Sequence, residues 1–236
     1  MISFLKTVVY EPLYNILILI LNIPYFDAGL AAIVLTILVK IFLFPISKKM
    51  VVTQIKMKET SKELQEIKEK YKDKETQALK TMEFYKKHKI NPFSGILSIL
   101  IQIPIVYSLY HMFLYSGLPK VDPELLYGFI NSPEISMQFL GFWDVSEKSL
   151  VLALLAAIST FYQMHFSSKE EKSSLVNNKQ DLSKIMARQM KYTFPFIVFF
   201  ISWQISGVVA LYWFVSNLAG IAQDALIRKQ LASPQP

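Results

Sequence analysis

GLAAIVLTILVKIFLFPI, residues 29–46, is an apolar run broken by a single charge, Lys40, and closed by Pro45 with Lys48 and Lys49 just beyond. A stretch of this length with so few charges is what a hydrocarbon core about 30 Å thick requires of a crossing helix. Outward from it, the chain has 236 residues, of which 53% are hydrophobic, and four more apolar segments occupy 93–115, 149–166, 192–205 and 207–227. The fold class predicted is all-α: a polytopic membrane protein with five transmembrane helices.

The charges between these segments set the orientation. Residues 47–92 carry 13 lysines against 7 acids and residues 167–191 carry 6 basic residues against 3, whereas residues 116–148 carry 2 against 5. Basic loops stay in the cytoplasm, so the acidic loop is expected outside, with the N-terminus out and the C-terminus in. The net charge of +7 is thus spent on topology and gives no reason to expect DNA as a partner.

The chain then divides into an N-terminal segment (1–28), a first span (29–46), a basic cytoplasmic hairpin (47–92), a second span (93–115) and an outer loop (116–148). A third span (149–166), a cytoplasmic loop (167–191), a final pair of spans (192–227) and a cytoplasmic tail (228–236) complete it. Within 1–28, the run EPLYNILILILNI at 11–23 is too short to cross, and Glu11, Asn15 and Asn22 share one helical face. It is expected to lie as an interfacial helix in the outer leaflet surface. No small-residue cleavage site follows Lys6, so no removable signal peptide is read there.

The hairpin is expected to face a stripe of Leu64, Ile67 and Tyr71 against one of Ala78, Met82 and Tyr85, reversing at YKDKET, with lysines outward. Its basic surface suits anionic lipid heads or ribosomal RNA, or it merely links two spans. The outer loop, with Pro, Gly and MQFLGFW, reads as interfacial anchoring rather than a folded domain, and SSKEEKSSLVNNKQDLS at 167–183 as a polar linker. Ser206-Gly207 is the expected hinge of the last two spans, whose short arms imply a locally thinned membrane.

Four of the five spans carry polar or amphipathic residues four apart, the spacing that places two side chains on one helix face: Thr36 with Lys40, Ser98 with Gln102, Ser159 with Gln163, and Trp213 with Asn217. Such residues either bond helix to helix or line water. A lysine within a span costs about 2.5–3.5 kcal/mol, and Lys40 either snorkels to the cytoplasmic side or faces a water-containing pocket shared by these stripes.

The absences exclude several chemistries. Cysteine is absent, no GxxxxGK, GxSxG or HExxH motif occurs, and His88, His111 and His165 lack metal-ligand spacing. Neither a catalytic role nor a cofactor or metal is expected. With no coupling carboxylate and no internal repeat, a small transporter or channel is the less favoured alternative. An assembly chaperone acting through the hairpin alone is another.

Three stretches, GLAAIVLTILVKIFLFPISKKM, NPFSGILSILIQIPIVYSLYHMF and FPFIVFFISWQISGVVALYWFVSNLAGIAQ, resemble the core of the YidC/Oxa/Alb membrane protein insertases, in order and across most of the chain. Asn91, Pro92, Gly95, Gln102 and Pro104 in the second, and Gly207, Leu211, Tyr212, Trp213, Ser216 and Asn217 in the third, carry the resemblance most specifically. The resemblance implies a hydrophilic groove, open to cytoplasm and lipid and closed outside, that passes newly made membrane proteins into the bilayer. Lys40 is its implied charge, standing where the family usually has arginine. Thr36, Ser98, Gln102, Ser159, Gln163, Ser206, Ser216 and Asn217 are its expected polar lining, and Ile105, Phe113, Tyr212 and Trp213 the expected apolar slide. The implied partners are nascent membrane proteins and the lipid bilayer, with the ribosome and the general Sec translocon beside them. The implied location is the bacterial plasma membrane.

Overall fold

The computed structural model describes residues 5–91, 94–114, 118–168 and 182–232. A π-helical turn, Lys6–Tyr10, leads into α1 (Glu11–Leu21); α2 (Ala28–Phe42) and α3 (Phe44–Glu59) follow, then α4 (Ser61–Lys70) and α5 (Lys74–Lys87). After these come α6 (Ser94–Leu114), the short strands β1 (Gln138–Phe139) and β2 (Trp143–Asp144), α7 (Leu150–Ser168), α8 (Leu182–Gln204) and α9 (Gly207–Ala232). The all-α class expected from the sequence is what forms.

Residues 29–46 do not make one straight helix. Asp27 caps α2, its Oδ1 accepting from the Leu30 amide at 2.8 Å. The helix breaks at Leu43, and Pro45 then sits in the first turn of α3, where its missing N–H costs nothing. The two helices meet at a bend of 60°, and by length and composition only this pair qualifies as a membrane crossing among the described residues; no single described helix does.

The elements close around α9, which packs on α2, α3, α6, α7 and α8. Tyr14, Leu17 and Ile18 of α1, Leu35 of α2, Leu109 and Met112 of α6, and Val209 and Tyr212 of α9 form one buried cluster. Large apolar side chains also cover the outside: Phe42 is 81% exposed, Ile103 57%, Tyr162 63% and Phe196 67%. An outer surface this rich in large apolar side chains, around a core that is itself largely apolar, matches lipid as solvent.

The N-terminal helix differs from the expectation of a helix lying at the interface. Its residues Tyr14, Leu17 and Ile18 are fully buried, and its polar face is covered by the loop that precedes α7. Asn15 donates to the Leu125 carbonyl and accepts from the Tyr127 amide, both at 2.8 Å, and Asn22 donates to the Asn131 carbonyl at 2.9 Å. The shared face of Asn15 and Asn22 is therefore a seat for chain rather than for head groups. The loop itself is a folded cap. Ser136 accepts from the Ala28 amide, and Val145 and Glu147 accept from the Val208 and Gly207 amides at 2.9 and 2.7 Å. Carbonyls of one loop thus satisfy the orphan N–H groups at the starts of both α2 and α9.

The hairpin reverses at 71–73 as expected, with Asp73 capping α5 through the Thr76 amide and hydroxyl. The stripe facing α4 is a different one. Gln77 donates to the Lys68 and Tyr71 carbonyls, His88 lies 3.3 Å from Glu63, and Phe84 is buried, whereas Ala78 and Met82 face out, Met82 being 55% exposed. Gln77 locks the helix rotation through two backbone bonds, and the apolar Ala78–Met82 stripe turns away with it.

The last two helices also run past their apolar portions, α8 starting at Leu182 and α9 ending at Ala232. At about 1.5 Å per residue each is long enough to pass an average hydrocarbon core, so the short apolar arms do not mark the helix ends. Most of the polar linker at 167–183 lies outside the described residues.

Candidate functional site

Helix α9 carries the polar cross-links of the bundle. Near its middle, Tyr212 and Ser216 accept from the Gln102 side-chain amide of α6 at 2.7 and 3.5 Å. On the adjoining face Asn217 donates toward Ser159 Oγ at 2.9 Å, Thr160 Oγ1 at 2.7 Å and the Ala156 carbonyl at 3.3 Å, all on α7. Ser159 and Thr160 also donate to the Ala156 carbonyl, so this cluster satisfies itself without water.

One to two turns further along α9, the polar elements open. Gln223 Nε2 donates to the Lys40 carbonyl at 2.7 Å, tying α9 to the last turn of α2. Between them lies Gly220. A Cβ built there would collide with Gln163 Nε2 of α7 and would stand 3.8 Å from Lys40 Nζ. Three helices thus bring Lys40, Gln163 and Gly220 together. Among the described residues Lys40 has no ion-pair partner, and both Lys40 and Gln163 are only partly buried. Chemically, this is a cation and an amide donor left available at the edge of an apolar bundle, with no paired carboxylates beside them among the described residues.

The predicted lining therefore falls into distinct environments. Lys40 and Gln163 converge at Gly220. Thr36 is 1% exposed and bonds the Ala32 carbonyl of its own helix at 2.6 Å. Ser159, Ser216 and Asn217 are 4%, 1% and 5% exposed and act as contacts between helices, as does Gln102. Ser206 is 1% exposed at the hinge and, like Ser202 one turn earlier, holds a hydroxyl without a partner among the described residues. The Ser98 side chain lies outside the described residues, as does Pro92.

The four residues expected on an exposed apolar slide are buried: Ile105 8%, Phe113 7%, Tyr212 2% and Trp213 7%. The reason is rotation. Ile105 and Phe113 point from α6 into the cluster shared with α1 and α9, and the exposed apolar face of α6 includes Leu97, Leu100, Ile103 and Tyr107, with Leu218 exposed on α9. Sequence reasoning also missed Thr160, Gly220 and Gln223. A signal for two of them was present: Ser216, Gly220 and Gln223 continue one stripe at spacings of four and three along α9.

Comparison with known proteins places this arrangement in a family. The sequence model of the 60Kd inner membrane protein family matches residues 18–234. A protein of Fusobacterium nucleatum named membrane protein insertase YidC is 31% identical over 203 residues, 86% of this chain and 86% of the relative. One of the same name from Oceanobacillus iheyensis is 29% identical over 208 residues, covering 86% of this chain and 75% of the relative. A third, from Wolinella succinogenes, is 33% identical over 204 residues but extends well beyond them, since the match covers 34% of its length.

Proposed function

Because the chain belongs to the 60Kd inner membrane protein family, that of the YidC proteins, we propose that it moves newly made membrane proteins from the cytoplasm into the bilayer through a lipid-open polar groove at Lys40, without nucleotide hydrolysis. The observation that carries this is the available Lys40 ammonium, held beside Gln163 and Gly220 where α2, α7 and α9 meet. In this reading α2 with the start of α3, then α6, α7, α8 and α9, are the five spans of a plasma membrane protein with its N-terminus outside and its C-terminus in the cytoplasm. The outer loop closes the far side.

The mechanism follows from charge and solvent. A client enters from the cytoplasm, where the lysine-rich hairpin helps capture it and the short basic tail approaches the ribosome. Its short acidic outer tail is drawn to Lys40. Opposite charges about 4 Å apart attract by about 1 kcal/mol in water and about 4 kcal/mol at an intermediate dielectric. That is on the order of what carrying one carboxylate into the membrane costs. The client's apolar helix then leaves sideways along lipid-facing residues such as Ile103 and Leu218, driven by transfer out of water.

Reconstitution into liposomes with single-span clients, without nucleotide, tests the reading. Lys40→Ala is expected to lose insertion of clients with acidic outer tails and Lys40→Arg to retain it. Full insertion of several such clients by Lys40→Ala refutes the charge step.

A further inference from the structure

We propose that Gly220 is a positioning residue that seats the Gln163 amide beside the Lys40 ammonium, so that the two donors together grip one carboxylate of the client. This rests on the reading that Lys40 meets client carboxylates. An ammonium is a point charge, and it lacks the planar fork with which a guanidinium takes both oxygens of a carboxylate. Here a second donor stands next to it. Gln163 comes from α7 and Lys40 from α2, and both reach the same spot on α9, where Gly220 has no side chain.

The space is specific. A Cβ at Gly220 would overlap Gln163 Nε2, lie 3.4 Å from Gln163 Cδ and stand 3.8 Å from Lys40 Nζ. Glycine in a helix interior is the costliest residue after proline, so its presence within α9 (Gly207–Ala232) needs a reason, and the room it leaves for the Gln163 amide supplies one. The amide nitrogen and the ammonium flank one glycine, and donor–acceptor distances of about 2.8 Å on either side of a carboxylate bridge such a separation. Gln223 fixes the register from below by holding the Lys40 carbonyl at 2.7 Å, so the α2 backbone cannot slide along α9 without breaking that bond. The client's carboxylate would thus accept one bond from the Lys40 ammonium and one from the uncharged Gln163 amide. Its position becomes defined, which an attractive field alone would not achieve.

The experiment compares acidic-tailed and neutral-tailed clients in liposomes bearing the full chain, alongside thermal unfolding of each variant. Gly220→Ala and Gln163→Ala are each expected to lower insertion of the acidic-tailed client about tenfold, the usual scale of one lost bond to a charged group. The neutral-tailed client is expected to lose much less than the acidic-tailed one. Adding Lys40→Arg to Gln163→Ala is expected to restore the acidic-tailed client, because the guanidinium brings its own second donor. Equal loss for both clients, or no rescue by Lys40→Arg, overturns the proposal in favour of a spacer for helix packing. If Gln163→Ala inserts acidic-tailed clients as well as the unaltered protein while Lys40→Ala does not, the clamp is wrong and the groove reading stands. If Lys40→Ala inserts them normally, the groove reading itself has failed, and the clamp with it.

Discussion

Replacing Gly207 by alanine tests whether the hinge between α8 and α9 is held by the loop that precedes α7. An added methyl would lie 3.2 Å from Val145 Cα, 3.2 Å from the Val145 carbonyl oxygen and 3.3 Å from the Glu147 carbonyl oxygen. All three are backbone atoms, so no side chain can swing aside, and the loop at 145–147 must back away by a few tenths of an ångström. Overpacking of this kind costs about 1–3 kcal/mol. The same shift stretches the Gly207 and Val208 amide bonds to Glu147 and Val145, now 2.7 and 2.9 Å, which contribute about 1 kcal/mol each. Against this, alanine regains only a few tenths of a kcal/mol, because the residue stands at the first position of α9 rather than in its interior. The net expectation is a loss of about 2 kcal/mol, or a fall in Tm of about 4–8 °C for a chain of this size. Thermal unfolding in detergent measures it, with Gly128→Ala as control, since nothing lies within 4 Å of a Cβ there. A Gly207→Ala protein as stable as the control would refute the reasoning, by showing that the loop does not clamp the hinge.

Two further outcomes follow from the same contacts. Asn15→Ala removes the partner of the Leu125 carbonyl and the Tyr127 amide and should raise opening of residues 118–131 by about 2 kcal/mol, roughly thirtyfold, read as faster limited proteolysis there with α9 unaffected. In the hairpin, the Thr76 amide and then its hydroxyl hold the Asp73 carboxyl below its ordinary value of 3.8, so the cap stabilises α5 fully above that pH and is lost as pH falls through the lowered value. NMR titration should show the Asp73 carboxyl shifting below 3.8 and the Thr76 amide responding with it, and Asp73→Asn should blunt that response.

Local pattern determined a great deal of this protein. Apolar runs announced a helical membrane protein, because lipid tolerates neither free backbone nor loose charge. The interruption at Lys40 was visible for the same reason. Spacing of four residues also singled out Gln102, Ser159, Gln163 and Asn217, since which residues share a helix face follows from helix geometry alone. Only packing decided which neighbour each face met. Ser159 and Asn217 became each other's partners, Gln102 met Tyr212, and Gln163 alone of these four reached Lys40, because helix rotation is set by contacts between distant segments. For that reason Ile105, Phe113, Tyr212 and Trp213 turned inward, and the asparagines of α1 found a loop more than a hundred residues away instead of water. A helix's own sequence fixes which residues lie on one side of it; which side faces the protein is settled by everything it packs against.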